Sequence, residues 1–85
     1  MRGRRIFPDA LGSLTLAPGD YGRDGHGVWH ARPPDPGVHA GSLPEHEIVE
    51  HDDGTITVSP SIVLEPGNGE RGWHGYLERG VWRPV

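Results

Sequence analysis

The chain has 85 residues, enough for one small domain whose hydrophobic core is limited in size. It contains no cysteine, which excludes disulfide bonds and thiolate metal sites, so we expect it to gain stability from a partner or from a second copy of itself. A net charge of −4 argues against a general nucleic-acid binder, and no apolar run is long enough to span a membrane.

Residues 1–12 predict an extended N-terminal arm, and residues 13–85 predict a single small β domain. The arm opens with arginines, apolar residues and a proline: Arg2, Arg4, Arg5, Ile6, Phe7 and Pro8. No apolar stretch follows the basic residues, so this is not the pattern of a signal peptide. We expect the arm to dock on a partner, with Arg4 and Arg5 on acidic or phosphate groups and with Ile6 and Phe7 as apolar anchors. A frayed tail is the alternative, because chain termini are often unstructured.

The stretch after the arm is rich in glycine and proline and predicts few regular elements. Residues 13–16 alternate polar and apolar side chains, which predicts a short half-buried strand. Residues 21–27 contain too much glycine for a strand, whereas residues 28–32 predict the next one. Residues 33–45 include four prolines and predict a long irregular connection, of the kind that is often functional or mobile. Together with Trp29, this connection is a candidate second contact surface.

Two β-hairpins are the clearest structural signal. Residues 46–51 and 55–59 are joined by Asp-Asp-Gly, which predicts a type I turn followed by a glycine in the left-handed conformation. Glu-Arg-Gly at 78–80 predicts the same turn in a last hairpin. Apolar residues at 56, 58, 62 and 64 predict one long strand, bent or bulged at Pro60. The sequence therefore predicts an all-β fold, a small antiparallel roll or open barrel of about five to seven short strands with an extended N-terminal arm.

Part of this pattern carries a resemblance. The combination of Asp-Gly-Thr, Ser-Pro-Ser-Ile, Trp-His-Gly-Tyr-Leu and Gly-Val within residues 46–83 resembles small uncharacterised proteins of actinobacterial phages and is similar to the DUF6527 group. The resemblance implies a phage origin and a β-rich fold. Many of those proteins carry cysteines near the terminal hairpin, which this chain lacks. The resemblance implies no established activity.

The six histidines raise the hypothesis of a metal site, with His46, His51 and His74 as candidate ligands. His46 and His51 are five positions apart, so an extended strand would place them on opposite faces. Zinc needs three or four converging ligands, and the chain has neither a His-x-His nor a His-Glu-x-x-His motif. We therefore expect no metal and no cofactor, and histidines that are exposed or singly hydrogen-bonded.

No catalytic signature is present. Ser59 and Ser61 flank a proline and belong to no nucleophile elbow, and the glycine-rich run 22–27 lacks the Lys-Ser/Thr ending of a phosphate loop. We expect a non-enzymatic phage interaction protein, and most concretely a small virion component such as a capsid decoration protein. It would dock through its arm on a larger protein assembly such as the phage capsid, either alone or as a homo-oligomer.

Two alternatives stay open. One is a phage accessory protein that binds and inhibits a host or defence protein through the acidic hairpin at Asp52 and Asp53. The other is a histidine-based metal-binding domain. We expect the protein in the virion or in the cytoplasm of an infected bacterial host, and we expect neither a membrane nor nucleic acid as its partner.

Overall fold

Short strands make up the regular structure of the chain, and a computed structural model describes all of residues 1–85. The nine strands are β1 (Arg4–Arg5), β2 (Asp20–Arg23), β3 (Trp29–Ala31), β4 (Gly41–Ser42), β5 (Glu47–Glu50), β6 (Ile56–Ser59), β7 (Ile62–Leu64), β8 (Trp73–Glu78) and β9 (Val81–Pro84). The predicted all-β fold is confirmed. Strands outnumber the prediction because several contain only two or three residues. No helix is present that could cross a membrane.

The strands form three sheets. One contains β1, β2, β3 and β4 in that order, the second is the β5–β6 hairpin, and the third contains β7, β8 and β9. β1 runs parallel to β2, and every other pair is antiparallel. β6 packs beside β8, which brings the second and third sheets together. The Cα radius of gyration is 11.9 Å.

The core lies between the sheets and draws on all three of them. Its buried apolar side chains are Tyr21, Ala31, Leu43, Ile56, Val58, Ile62, Leu77 and Trp82. Trp82 packs edge-to-face against Trp73, with ring centroids 5.3 Å apart, and its Nε1–H donates to the Gly19 carbonyl at 2.9 Å. Burying a side chain of this size contributes about 3 kcal/mol, and the hydrogen bond satisfies its only polar group. Trp82 therefore joins the third sheet to the first.

The first six residues lie within the fold. Arg4 and Arg5 pair with Asp20 and Tyr21 of β2, and the Ile6 amide donates to the Tyr21 carbonyl at 2.8 Å. On the other side, the Trp82 amide donates to the Met1 carbonyl and the Gly3 amide to the Gly80 carbonyl, both at 2.7 Å. This part of the predicted arm is extended, as expected, and it connects the first sheet to β9.

The turn prediction is confirmed for the first hairpin. Gly54 has a φ of 87°, and its amide donates to the His51 carbonyl at 2.9 Å, as in a type I turn followed by a left-handed glycine.

The last hairpin uses another turn, so the prediction of a repeated design is wrong. Arg79 and Gly80 both have positive φ, 47° and 75°, and β8 and β9 pair directly at Glu78 and Val81. Two such residues form a type I′ turn, whose twist matches that of the flanking strands. A Cβ at residue 80 would lie 2.8 Å from the Tyr21 hydroxyl, so this position also requires glycine for space.

Three other strand predictions need correction. Residues 13–16 form no strand: the exposure alternates as predicted, but no neighbouring strand pairs with them. The segment from Asp20 to Arg23 is a strand despite its glycine, and a Cβ at Gly22 would lie 2.2 Å from the Ile6 carbonyl oxygen. The stretch 56–64 is two strands in two sheets, with the break at Pro60.

The connection 33–45 is anchored to the rest of the fold. Pro33, Val38 and Leu43 are buried, and β4 pairs with β3. An ion pair between Asp35 and Arg71 fastens it to the loop before β8. The Arg71 guanidinium, by its hydrogen bond, holds the pKa of Asp35 below its usual value.

Candidate functional site

The clearest candidate site is a cluster that we call the aromatic stack, formed by Arg5, Phe7 and Trp29. The Arg5 guanidinium carbon lies 4.7 Å from the centroid of the Phe7 ring and 4.8 Å from that of Trp29. A guanidinium at this distance is attracted to the electron-rich ring faces, by about 0.5–2 kcal/mol per ring. Three of the five predicted partner-binding residues therefore meet at one place.

The backbone of the first sheet positions these side chains. Arg5 and Phe7 are two residues apart on an extended segment, so they share a face. Arg5 pairs with Tyr21 in β2, and Tyr21 pairs with Ala31 in β3, two positions from Trp29. The Arg5 side chain can thus reach the indole across β2.

The β5–β6 hairpin holds Arg5 in place. Its Nη1 donates to the Glu50 carboxylate at 3.0 Å and to the Gly54 carbonyl at 2.9 Å. The Arg5 side chain is only 15% exposed, so this charge is largely removed from water and paired. Its Nε is buried without a partner.

Phe7 is the exposed member of the stack. Its side chain is 69% exposed, whereas Trp29 is half-buried and packs against the core. The Arg23 guanidinium lies 6.0 Å from the Trp29 centroid on the exposed side of β2. Arg23 makes no ion pair, so the surface beside the aromatic stack carries one free positive charge.

The other two predicted docking residues lie outside the stack. Arg4 is 72% exposed at its side chain and lies 3.4 Å from the buried carboxylate of Asp20. Ile6 is half-buried, and its backbone belongs to the β1–β2 pairing. These two residues secure the segment to β2.

A second site, which the sequence did not suggest, is a groove of about 560 Å³. Because Trp29 and His30 are consecutive on β3, they point to opposite faces, and the groove lies on the His30 face. Its lining includes three leucines and five side chains with an ionisable group: Leu11, Leu14, Leu16, Asp24, His26, His30, Arg32 and His39. The alternation along residues 28–32 could have indicated that His30 and Arg32 share a side, but not which leucines would face them.

Asp24 and His30 form a hydrogen-bonded pair in this groove. His30 Nε2 donates to Asp24 Oδ2 at 2.8 Å, while Asp24 Oδ1 accepts from the backbone amides of His26 and Val28. The hydrogen bond from His30 first, and then that from the Val28 amide, lower the pKa of Asp24 from 3.8 to about 2. Asp24 is therefore ionised at neutral pH, and it accepts three hydrogen bonds from within the chain.

The three candidate metal ligands have separate partners. His46 Nε2 donates to the Ser61 carbonyl at 3.1 Å, and His51 Nε2 lies 2.7 Å from the Thr57 hydroxyl. His74 Nε2 lies 2.9 Å from the Ser61 hydroxyl. No group of three histidine or acidic side chains is arranged to hold a metal ion, so the arrangement gives the metal-binding alternative no support.

The acidic hairpin leaves its two aspartates exposed. Asp53 Oδ1 accepts hydrogen bonds from the Thr55 hydroxyl at 2.6 Å and the Thr55 amide at 3.0 Å. The hydroxyl hydrogen bond, followed by that from the amide, lowers the pKa of Asp53. The charge of Asp53 therefore persists into mildly acidic solution and stays at the surface.

Comparisons of this chain with protein-family models, curated proteins and solved structures give no match. The resemblance to phage proteins and to the DUF6527 group stays a prediction.

Proposed function

We propose that the protein is a non-enzymatic interaction module that docks on a larger protein assembly through the aromatic stack and the adjoining Arg23. In the phage setting that the sequence resemblance implies, this is a small virion component such as a capsid decoration protein. The observation that carries the proposal is Phe7, a large apolar side chain that is 69% exposed and yet fixed by a cation beneath it.

The composition of this surface fits a protein partner. Phe, Trp and Arg are enriched in the cores of protein interfaces, and a few such anchors supply most of the binding free energy. Arg5 already holds two hydrogen bonds and contacts both rings, so docking would immobilise few further rotamers. The stack therefore offers a preformed anchor.

The charges around the aromatic stack indicate which groups a partner would place against it. Glu50 pairs with the Arg5 charge inside the chain, whereas Arg23 is exposed and unpaired. A partner with an apolar pocket for the Phe7 ring and a carboxylate at its rim for Arg23 would match both features. Such a rim charge would steer association and set the orientation more than the affinity.

Site-directed photo-cross-linking tests the proposal. A photoreactive phenylalanine analogue replaces Phe7 in the chain produced in its native host, and the matched control places it at Leu11, which is 91% exposed. We expect one dominant cross-linked protein from position 7, and a clear loss of that product when Arg23 is replaced by glutamate. The same products from positions 7 and 11 would contradict the proposal.

The accessory-protein alternative is favoured by the exposed charges of Asp52 and Asp53. If this function is correct, a cross-linker at Asp52 would capture the target and one at Phe7 would not. Quantitative proteomics of purified virions separates the two functions, because a decoration protein is present there at high copy and an inhibitor of a host protein is absent.

A further inference from the structure

We infer that the groove beside β3 binds a small amphipathic anion, whose carboxylate or phosphate meets Arg32 and whose apolar part lies along Leu14 and Leu16. This goes beyond the proposed docking function, since the groove and the aromatic stack lie on opposite faces of the strand. The inference rests on Arg32, on the way that Asp24 is occupied, and on the leucine side of the groove.

Arg32 is held as a positioned but unpaired cation. Its Nε donates to the Val38 carbonyl at 3.1 Å and its Nη1 to the Leu16 carbonyl at 3.0 Å, which leaves Nη2 without a partner. Arg5 and Arg32 are the two half-buried arginines, and Arg5 is paired with Glu50 whereas Arg32 has no carboxylate. Charges that are withdrawn from water are usually paired, so a bound anion would complete this site.

The carboxylate that borders the groove does not serve as that counter-ion. Asp24 accepts two backbone amides with one oxygen and His30 with the other. These three hydrogen bonds place positive partial charges around the Asp24 carboxylate, which weakens its repulsion of an incoming anion. His26 also lines the groove, is exposed and has no side-chain partner, so it can donate to the same anion.

The opposite side of the groove is apolar. Leu14 and Leu16 are half-buried, and Leu11 stands exposed at the same groove. A volume of about 560 Å³ is within the range of about 300–1,000 Å³ that is typical of small-molecule sites, and a mixture of apolar wall and few polar groups is their usual lining. An alkyl carboxylate or alkyl phosphate matches both sides, whereas an inorganic anion matches only one.

Ligand titration followed by NMR tests the inference. Sodium octanoate and octyl phosphate represent the amphipathic anion, sodium acetate the anion without an alkyl chain, and 1-octanol the chain without a charge. We expect saturable shifts of the Arg32 Nε–H signal and of the amides of residues 11–16 with octanoate and octyl phosphate. We expect at least tenfold weaker binding of acetate and octanol, since each lacks half of the contacts.

Two variants and a control locate the site. Arg32→Gln should weaken octanoate binding about tenfold or more, because it removes a charge-assisted hydrogen bond. Since Arg32 also ties two loops together, Leu11→Glu provides a second variant at a 91% exposed position, and it should weaken binding severalfold by repulsion. Arg79→Gln, at an exposed arginine elsewhere, should leave the affinity unchanged.

Three results would overturn the inference: no saturable shift with either amphipathic anion, equal binding of octanol and octanoate, or octanoate affinity that is unchanged in the folded Leu11→Glu variant.

Discussion

The two halves of the chain obtain their structure in different ways. Residues 46–85 are dominated by strands that pair with a close neighbour in sequence, β5 with β6 and β8 with β9 across short turns. Residues 1–45 depend on distant pairings: β1 joins β2 across a long connection, and residues 1–3 pair with β9 at the far end of the chain. β2 and β3 pair locally across residues 24–28, but the first sheet is completed only when β1 and residues 1–3 reach these distant partners.

This difference bears on where the candidate sites lie. The aromatic stack and the groove are both built on the first sheet, from strands of only two to four residues joined by long loops. Surface loops commonly carry binding residues, and here Phe7, Asp24 and His26 lie outside the strands, beside Arg5, Trp29 and His30 on them. The hairpin half contributes the support, since Glu50 and Gly54 hold Arg5.

Removing residues 1–6 should have the largest effect on stability, because the first half depends on this distant segment. The deletion removes the acceptor of the Trp82 amide, the strand that covers β2, and Arg5. We expect a loss of at least about 3 kcal/mol in the free energy of unfolding, from several hydrogen bonds of about 1 kcal/mol each and from uncovered apolar surface. Urea unfolding checks this. Deleting the exposed residues 67–69 in the other half is the control and should cost about 1 kcal/mol or less.

Gly22→Ala tests the close approach of β1 to β2. The added methyl group would lie 2.2 Å from the Ile6 carbonyl oxygen and 3.3 Å from Leu14, so one of the two strands must move. We expect a destabilisation of about 3 kcal/mol by urea unfolding, at the upper end for overpacking. Gly67→Ala, where a Cβ would meet nothing, should stay within about 0.5 kcal/mol of the wild type. Equal effects of the two substitutions would contradict the tight β1–β2 contact.

Arg5→Ala tests the link between the two halves, because Arg5 of the first half donates hydrogen bonds to Glu50 and Gly54 of the second. The substitution leaves Glu50 without its cation and removes both ring contacts. We expect a loss of about 2 kcal/mol in the free energy of unfolding. Arg2→Ala is the matched control: Arg2 is exposed and its side chain makes no hydrogen bond, so a change within about 0.5 kcal/mol is expected. A similar small change for Arg5 would mean that the stack contributes nothing to the fold.

The smallest expected effect is at Asp24, in a loop of the first half. Because its pKa is lowered to about 2, the stabilisation by its carboxylate is present above the ordinary value of 3.8 and is lost as the pH falls through about 2. A carboxyl ¹³C NMR titration should give a midpoint near 2 for Asp24. In His30→Ala the midpoint should rise toward the ordinary value, because the largest cause of the shift is gone. A midpoint that is the same in both proteins would contradict the Asp24–His30 hydrogen bond.

The sequence predicted the hairpin half well because its signals are local. Asp52, Asp53 and Gly54 specify a turn by their own backbone preferences, and the period of two correctly places Ile56 and Val58 on the buried face of β6. The turn at Arg79 was mispredicted because its connection has only two residues, Arg79 and Gly80, and both adopt a positive φ. The predicted turn has a positive φ at the glycine alone.

The first half could be predicted only in part. Residues 13–16 alternate correctly but have no strand to pair with, and residue 22 of β2 must be glycine because the Ile6 carbonyl passes over it. Neither fact can be read from nearby residues, since each depends on a segment that is distant in sequence. For the same reason the sequence suggested Arg5, Phe7 and Trp29 as contact residues but did not indicate that Arg5 would contact both rings. The groove was missed altogether, because its leucines and histidines come from strand β3 and from three loops that are separate in sequence.

Amide hydrogen exchange at Ile6 and Trp82 tests most directly whether the first residues belong to the fold and fix the aromatic stack. Both amides form backbone hydrogen bonds that hold residues 1–6 in the fold. The Ile6 amide donates to the Tyr21 carbonyl at 2.8 Å, and the Trp82 amide donates to the Met1 carbonyl at 2.7 Å. Both should exchange as slowly as the amide of His51, which is hydrogen-bonded to Thr55 in the β5–β6 hairpin. Exchange of Ile6 at the rate of an unstructured peptide, while His51 stays protected, would contradict this structure of the first half.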